Sequence, residues 1–211
     1  MPVKAKICGI TTPDALDAAI GGGASHVGFV FFAPSPRDLG MDAARALAAG
    51  VPDRVAKVGV FVDPDHALLD AAIAAGRLDA IQLHNTSAAR RAAIRAAFWL
   101  PVWAAVAVKQ RADLAAAEHV EAADRILYDA KTPAGSALPG GMGLRFDWTL
   151  LHGIAHPLPW ALSGGLDAAN VAEAVRVTGA TLIDVSSGVE SAPGVKDVDK
   201  ITAFLQSVAR L

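Results

Sequence analysis

Eight short apolar runs recur along the chain, at residues 3–7, 26–31, 57–62, 80–83, 102–108, 125–128, 160–162 and 182–186. Most are nearly continuous in Val, Ile, Leu, Phe and Ala rather than alternating, the pattern of strands covered on both faces. Their centres fall roughly 22–34 residues apart, the length of one strand-plus-helix unit. The segments between them carry helix punctuation. Thr12-Pro13-Asp14 supplies a cap and a proline for the first helical position, and Gly21-Gly22-Gly23 ends that helix. Met41–Ala49 stops at Gly50, and Asp63-Pro64-Asp65 opens a helix that Gly76 closes. Alanine-rich stretches over 86–98, 112–122 and 168–177 have helical spacing. Asp147 is placed to cap a short helix through His152, and a last helix covers 198–209.

Eight strands alternating with about eight helices in 211 residues predict a small (β/α)₈ TIM barrel, a single domain over residues 1–211. The runner-up, a doubly wound open sheet, would usually show a G-x-G-x-x-G fingerprint after its first strand. Here that position holds Cys8-Gly9-Ile10-Thr11.

Composition narrows the function. Apolar residues make up 53% of the chain and charged residues 19%, which excludes intrinsic disorder. Nineteen basic against 21 acidic residues give a net charge of −2, so no nucleic-acid partner held by a broad basic field is expected. A local anion site stays compatible with that balance. One cysteine excludes a disulfide framework and a multi-cysteine zinc site. Residues 1–6 lack an apolar signal core, and the longest apolar run, 99–108, is interrupted by Pro101. It falls short of the roughly 18–20 residues a bilayer span needs. No membrane association and a cytoplasmic location are therefore expected.

In such a barrel the chemistry lies at the carboxyl ends of the strands. Cys8 ends strand 1. A lone cysteine is most often a small buried hydrophobe, but alternation puts Lys4, Lys6 and Cys8 on one face, with Val3, Ala5 and Ile7 on the other. Lys6 would point into the barrel below the thiol, where it needs an acidic partner and where its charge favours the thiolate. Asp184, on strand 8 beside strand 1, is the expected partner; alternatively it binds substrate hydroxyls. Asp129, at the end of strand 6, is either a solvated loop residue or the carboxyl that works opposite the thiol, one as acid and one as base. Arg37, in a proline-stiffened loop, is a surface arginine or a bidentate carboxylate ligand. His84, ending strand 4, faces the site or bonds locally. Gly164-Gly165 and Ser187-Gly188 follow strands 7 and 8, the expected place for a phosphate held by backbone N–H groups. Residues 132–143, rich in Gly, Pro and Ala, form a flap or an ordinary loop. His152 and His156 are four apart, but Gly153 lies between them and Pro157 follows, so no metal site is expected there. Trp99, Trp103, Trp148 and Trp160 are expected in the core or in helix–barrel packing.

Seven segments in register closely resemble the phosphoribosylanthranilate isomerases of tryptophan biosynthesis. They are Lys6-Ile7-Cys8-Gly9-Ile10-Thr11; Gly28-Phe29-Val30-Phe31 with Ser35-Pro36-Arg37; Val58-Gly59-Val60-Phe61; and Gln82-Leu83-His84. Gly141-Met142-Gly143 with Phe146-Asp147-Trp148, Gly164-Gly165-Leu166 with Asn170-Val171, and 184–190 with 193–197 complete the set. The resemblance covers essentially the whole chain. It implies an Amadori rearrangement of an aminoaldose to an aminoketose phosphate, with no cofactor and no metal. Cys8 would be the general base and Asp129 the general acid. Arg37 would bind the anthranilate carboxylate, and the two glycine loops the phosphate. The small phosphorylated substrate is the expected partner, with the protein acting as monomer or homodimer. Asn85, Met142 and Tyr128 depart from the family's usual glycine, Thr/Ser and leucine. The related barrel isomerase of histidine biosynthesis is the nearest enzymatic rival, and Cys8 argues against it because that chemistry uses two aspartates. A phosphate-binding barrel without catalysis is the non-enzymatic alternative.

Overall fold

The computed structural model describes residues 2–118, 120–133, 135–136 and 138–211. Eight parallel strands close into a barrel in sequence order: β1 (Lys4–Cys8), β2 (His26–Val30), β3 (Ala56–Val62), β4 (Ala80–His84), β5 (Val102–Val108), β6 (Arg125–Ala130), β7 (Trp160–Leu162) and β8 (Leu182–Val185). Closure between β1 and β8 sets Lys6 beside Asp184, and the β1–β2 register sets Cys8 beside Gly28.

Alternation divides each strand between two cores. Ala5 and Ile7 pack outward under the helices, whereas Cys8 meets Val30 and Val60 inside the barrel. Below them Val58, Ala80, Trp103, Leu127, Ala161 and Leu182 fill the lumen, so the barrel is a packed core rather than a pore. The outer helices are α1 (Pro13–Gly21), α2 (Met41–Ala49), α3 (His66–Gly76), α4 (Ala88–Phe98), α5 (Ala115–Glu118), α6 (Val171–Thr178) and α7 (Val198–Val208). In α7 the buried residues Ile201, Phe204, Leu205 and Val208 follow i, i+3, i+4, i+7 spacing, one apolar stripe against the sheet. Thr12, Asp65, Ser87 and Asp197 cap their helices by accepting from the backbone N–H three residues on.

Several helices differ from expectation. The 112–122 stretch forms a 3₁₀ turn (Arg111–Leu114) and one turn of α5, burying, among the described residues, only Leu114 and Ala117; Ala122 adopts a left-handed φ of 54°. So little apolar area gives a longer helix nothing to pack; His119 lies outside the described residues. The 168–177 helix starts late, at Val171, because Asp167 and Asn170 hold each other's backbone N–H groups in a turn. Between β6 and β7 a 3₁₀ turn (Trp148–Leu151), capped by Asp147, stands in place of an α-helix. Trp103 and Trp148 are buried and Trp160 is half-buried, but Trp99 is 89% exposed. Its backbone is the left-handed C-cap of α4, which swings the ring off the core. An unanticipated hairpin, β9 (Glu190–Ala192) with β10 (Val195–Lys196), follows β8. No helix among the described residues is long and apolar enough to cross a membrane.

Candidate active site

The carboxyl ends of the strands open into one cavity walled by Cys8, Arg37, His84, Asp129, Gly164, Gly165, Asp184 and Ser187. Gly188 stands behind that wall, where a Cβ would run into the Leu166 carbonyl, so the loops after β7 and β8 approach more closely than any other residue type permits.

Lys6 is fully buried beside Cys8 and donates to Asp184 Oδ1 at 2.9 Å. Burial alone would lower its pKa, but Asp184, and then Cys8, hold the ammonium charged and raise it. The expected Lys6–Asp184 pair is therefore present. Gly28 makes room for it, because a Cβ there would lie 2.9 Å from Cys8 Sγ and 3.1 Å from Lys6 Nζ. Lys6 favours the Cys8 thiolate, as expected, but does not outweigh burial. Burial pushes the thiol pKa up, Asp184 adds to that, and Lys6 recovers only part of the shift.

Asp129 is 7% exposed and accepts from the Ala130 N–H at 2.8 Å. Burial, reinforced by the negative charge of Asp184, raises its pKa to about 7, against the opposing Ala130 hydrogen bond. It belongs to the cavity and not to the solvated loop. His84 also lines the cavity, its ring nitrogen 3.0 Å from Gln82 Nε2. Burial and then Lys6 lower its pKa to about 4, so the ring is neutral at pH 7. Gln82 Oε1 is buried without a hydrogen-bond partner among the described residues.

Arg37 is buried rather than a surface residue, and its fork is engaged. Nε and Nη2 donate to Glu190 at 2.7 and 2.8 Å, and Nη2 also donates to the Gly141 carbonyl at 2.9 Å. The Nε–Nη2 edge, which could otherwise pair with a carboxylate through two parallel hydrogen bonds, is thus held by the protein, which leaves Nη1 without a hydrogen bond among the described residues. Around the two glycine loops, the N–H groups of Gly164, Gly165, Ser187 and Gly188 likewise donate to no described residue. They form a ready anion cradle. Residues 138–144 also wall the cavity, Gly140 lying against Asp129, Gly141 against Arg37 and Leu144 against Gly165; Ala134 and Ala137 of the expected flap lie outside the described residues.

Asn85 takes a left-handed φ of 51°, a conformation asparagine tolerates, so its replacement of glycine keeps the turn after β4. Tyr128 is fully buried on the helix side of β6 and pairs through its hydroxyl with His156 Nδ1 at 3.0 Å. Among the described residues no three His, Cys, Asp or Glu side chains cluster as a metal site requires. Glu190 and Lys196 escaped notice as functional residues. Their signal was a Pro193-Gly194 turn between two short segments, which predicts a hairpin that returns Lys196 to Glu190.

Comparison with known proteins agrees with this geometry. Residues 5–207 match the family described as N-(5'-phosphoribosyl)anthranilate (PRA) isomerase. The N-(5'-phosphoribosyl)anthranilate isomerase of Paramagnetospirillum magneticum is 54% identical over 98% of this chain and 97% of its own. A solved phosphoribosyl anthranilate isomerase from Thermotoga maritima superposes with a TM-score of 0.88 at 35% identity, covering 99% of this chain and all of its own. A third relative was solved with reduced 1-(o-carboxyphenylamino)-1-deoxyribulose 5-phosphate; it superposes with a TM-score of 0.81 at 32% identity, over 99% of this chain and 100% of its own. A full-length match of this strength, on a cavity with a thiol, a protonatable carboxyl and an anion cradle, places the chain in the N-(5'-phosphoribosyl)anthranilate isomerase family.

Proposed function

We propose that this chain isomerises N-(5-phosphoribosyl)anthranilate to 1-(2-carboxyphenylamino)-1-deoxyribulose 5-phosphate by paired acid and base catalysis. The observation that carries the reading is the Asp129 carboxyl, buried in the same cavity as Cys8 with its pKa raised to about 7. A carboxyl that keeps its proton near neutral pH can act as an acid there.

Asp129 gives its proton to the furanose ring oxygen. The C1′–O bond breaks as the aniline nitrogen lone pair forms the C=N bond, which leaves a protonated imine. That cation acidifies the C2′ proton. The Cys8 thiolate removes it, the C–H electron pair forms the C1′–C2′ double bond, and the imine π pair returns to nitrogen. The resulting enolamine tautomerises to the ketone. Arg37 takes the anthranilate carboxylate through Nη1, a single charge-assisted contact rather than the parallel pair first expected. The N–H groups of Gly164, Gly165, Ser187 and Gly188 take the phosphate, and Asp184 and His84 border the ribose. The protein works in the cytoplasm as a monomer or homodimer.

The test is turnover of the anthranilate substrate, followed by its fluorescence, alongside the histidine-pathway substrate. Wild type should turn over the former, and Cys8→Ser and Asp129→Asn should each lose at least about 10²-fold in kcat while keeping phosphate affinity. Full activity in Cys8→Ser would remove the thiol as base.

A further inference from the structure

The β9–β10 hairpin contributes no residue to the roles above, yet its first residue sits at the centre of a buried charge cluster. Glu190 directly follows the 3₁₀ turn Ser187–Val189 and is 7% exposed. Oε1 accepts from Arg37 Nε at 2.7 Å and from Lys196 Nζ at 2.6 Å. Oε2 accepts from Arg37 Nη2 at 2.8 Å and from the Gly194 N–H at 3.2 Å. Lys196 also donates to the Ser186 carbonyl at 3.0 Å, and Ser186 Oγ donates to the Cys8 carbonyl at 3.2 Å. The hairpin presses on the Arg37 loop as well: Gly194 has a φ of +81°, and a Cβ there would overlap the Pro36 carbonyl.

Two buried cations face one carboxylate, so the cluster keeps one positive charge in excess. Burial would push the Glu190 carboxyl up, but Arg37 and Lys196 outweigh it and hold the group below its ordinary range, ionised. A buried ion pair is weak evidence for stability and better evidence for fixed geometry. Here the geometry is a guanidinium gripped along one edge, with its remaining nitrogen free of hydrogen bonds among the described residues.

We propose that Glu190 is a positioning residue: by gripping the Nε–Nη2 edge of Arg37 it presents Nη1 to the substrate carboxylate, at a spacing fixed by the phosphate-facing turn just before it. This rests on the carboxylate role of Arg37 given above. The charge left over on the cluster attracts the carboxylate, and the tether through residues 187–190 ties the two anionic ends of one substrate to one rigid segment.

The experiment is a cycle of wild type, Glu190→Gln, Arg37→Ala and the double variant, with thermal melts to verify folding. KM and kcat are read on the anthranilate substrate, and inorganic phosphate binding by calorimetry. Glu190→Gln should raise KM roughly 10-fold, the worth of a hydrogen bond to a charged group, with kcat and phosphate affinity little changed. In the Arg37→Ala background it should add no further loss. Should Glu190→Gln fail to fold, Glu190→Asp keeps the charge but withdraws the carboxylate by one methylene, and it should show the same KM-selective loss. An unchanged KM in a folded Glu190 variant, or an equal loss with and without Arg37, overturns the inference. A wild type without turnover overturns the isomerase reading instead, and calorimetric affinity for anthranilate then decides on Glu190 by itself.

Discussion

Lys6 shapes the ionisation of Cys8, and the lone cysteine makes that measurable. The position of Gly28 between them limits Cys8 Sγ and Lys6 Nζ to a separation of no more than about 6 Å. At an effective dielectric of about 20, a full charge at that distance favours the thiolate by about 3 kcal/mol. Asp184, 2.9 Å from Nζ, works in the opposite direction. Lys6→Met therefore removes the favourable charge and leaves the unfavourable one, so the thiol should titrate at higher pH than in wild type. Lys6→Met/Asp184→Asn removes both charges and should give a smaller rise. The double variant also avoids a buried carboxylate without its partner, which costs about 3–5 kcal/mol. The assay is thiolate absorbance in the ultraviolet against pH. The chain has one cysteine and one tyrosine; burial of Tyr128 raises its pKa to about 12, and its tyrosinate is told apart from the thiolate by its longer-wavelength absorbance band. Titration curves that superimpose in wild type and Lys6→Met would refute the assignment, as would a larger rise in the double variant than in the single one.

Asp129 should weaken the fold at the pH where it works. Its folded pKa of about 7 lies above the ordinary 3.8 of a free carboxyl, so between those values the folded state holds a proton that the unfolded state has lost. Stability then falls as pH rises through that window, by at most about 4 kcal/mol. Asp129→Asn should melt higher than wild type at pH 8, with the difference shrinking towards pH 4; equal melting points at pH 8 would show that the carboxyl ionises without cost. Arg37→Ala should raise KM for the anthranilate substrate by about one to two decades, the worth of a hydrogen bond to a charged group. It should weaken analogues without the carboxylate much less, and equal losses for both would make Arg37 a structural residue.

Much of this was legible in the sequence because burial on both faces leaves a continuous apolar run, and eight such runs at regular spacing specify a barrel. The rim residues followed from strand ends and side-chain parity: Lys6 and Cys8 share a face of β1 with no structural information needed. What stayed hidden depends on contacts distant in sequence. Arg37 reads as a free fork until a hairpin 153 residues later supplies Glu190. Trp99 reads as core until the C-cap geometry turns it outward. The 112–122 helix reads as regular because alanine favours helix, but alanine buries too little to hold one.

The two raised pKa values together fix how protons are distributed. The chemistry needs Asp129 protonated and Cys8 ionised, yet an ordinary thiol already titrates above Asp129's value of about 7, and burial drives Cys8 higher still. When one proton is shared between them, most molecules carry it on sulfur, and the productive form is the minor one. That minor form is a constant fraction of all singly protonated enzyme. The kcat/KM profile should therefore rise to a plateau with an acidic limb near 7, set by Asp129, and fall on a basic limb set by Cys8. Lys6→Met should then lower the plateau and move the basic limb to higher pH, while the acidic limb stays near 7. An acidic limb that moves with the thiol titration measured by absorbance would show the opposite order, with Cys8 losing its proton first.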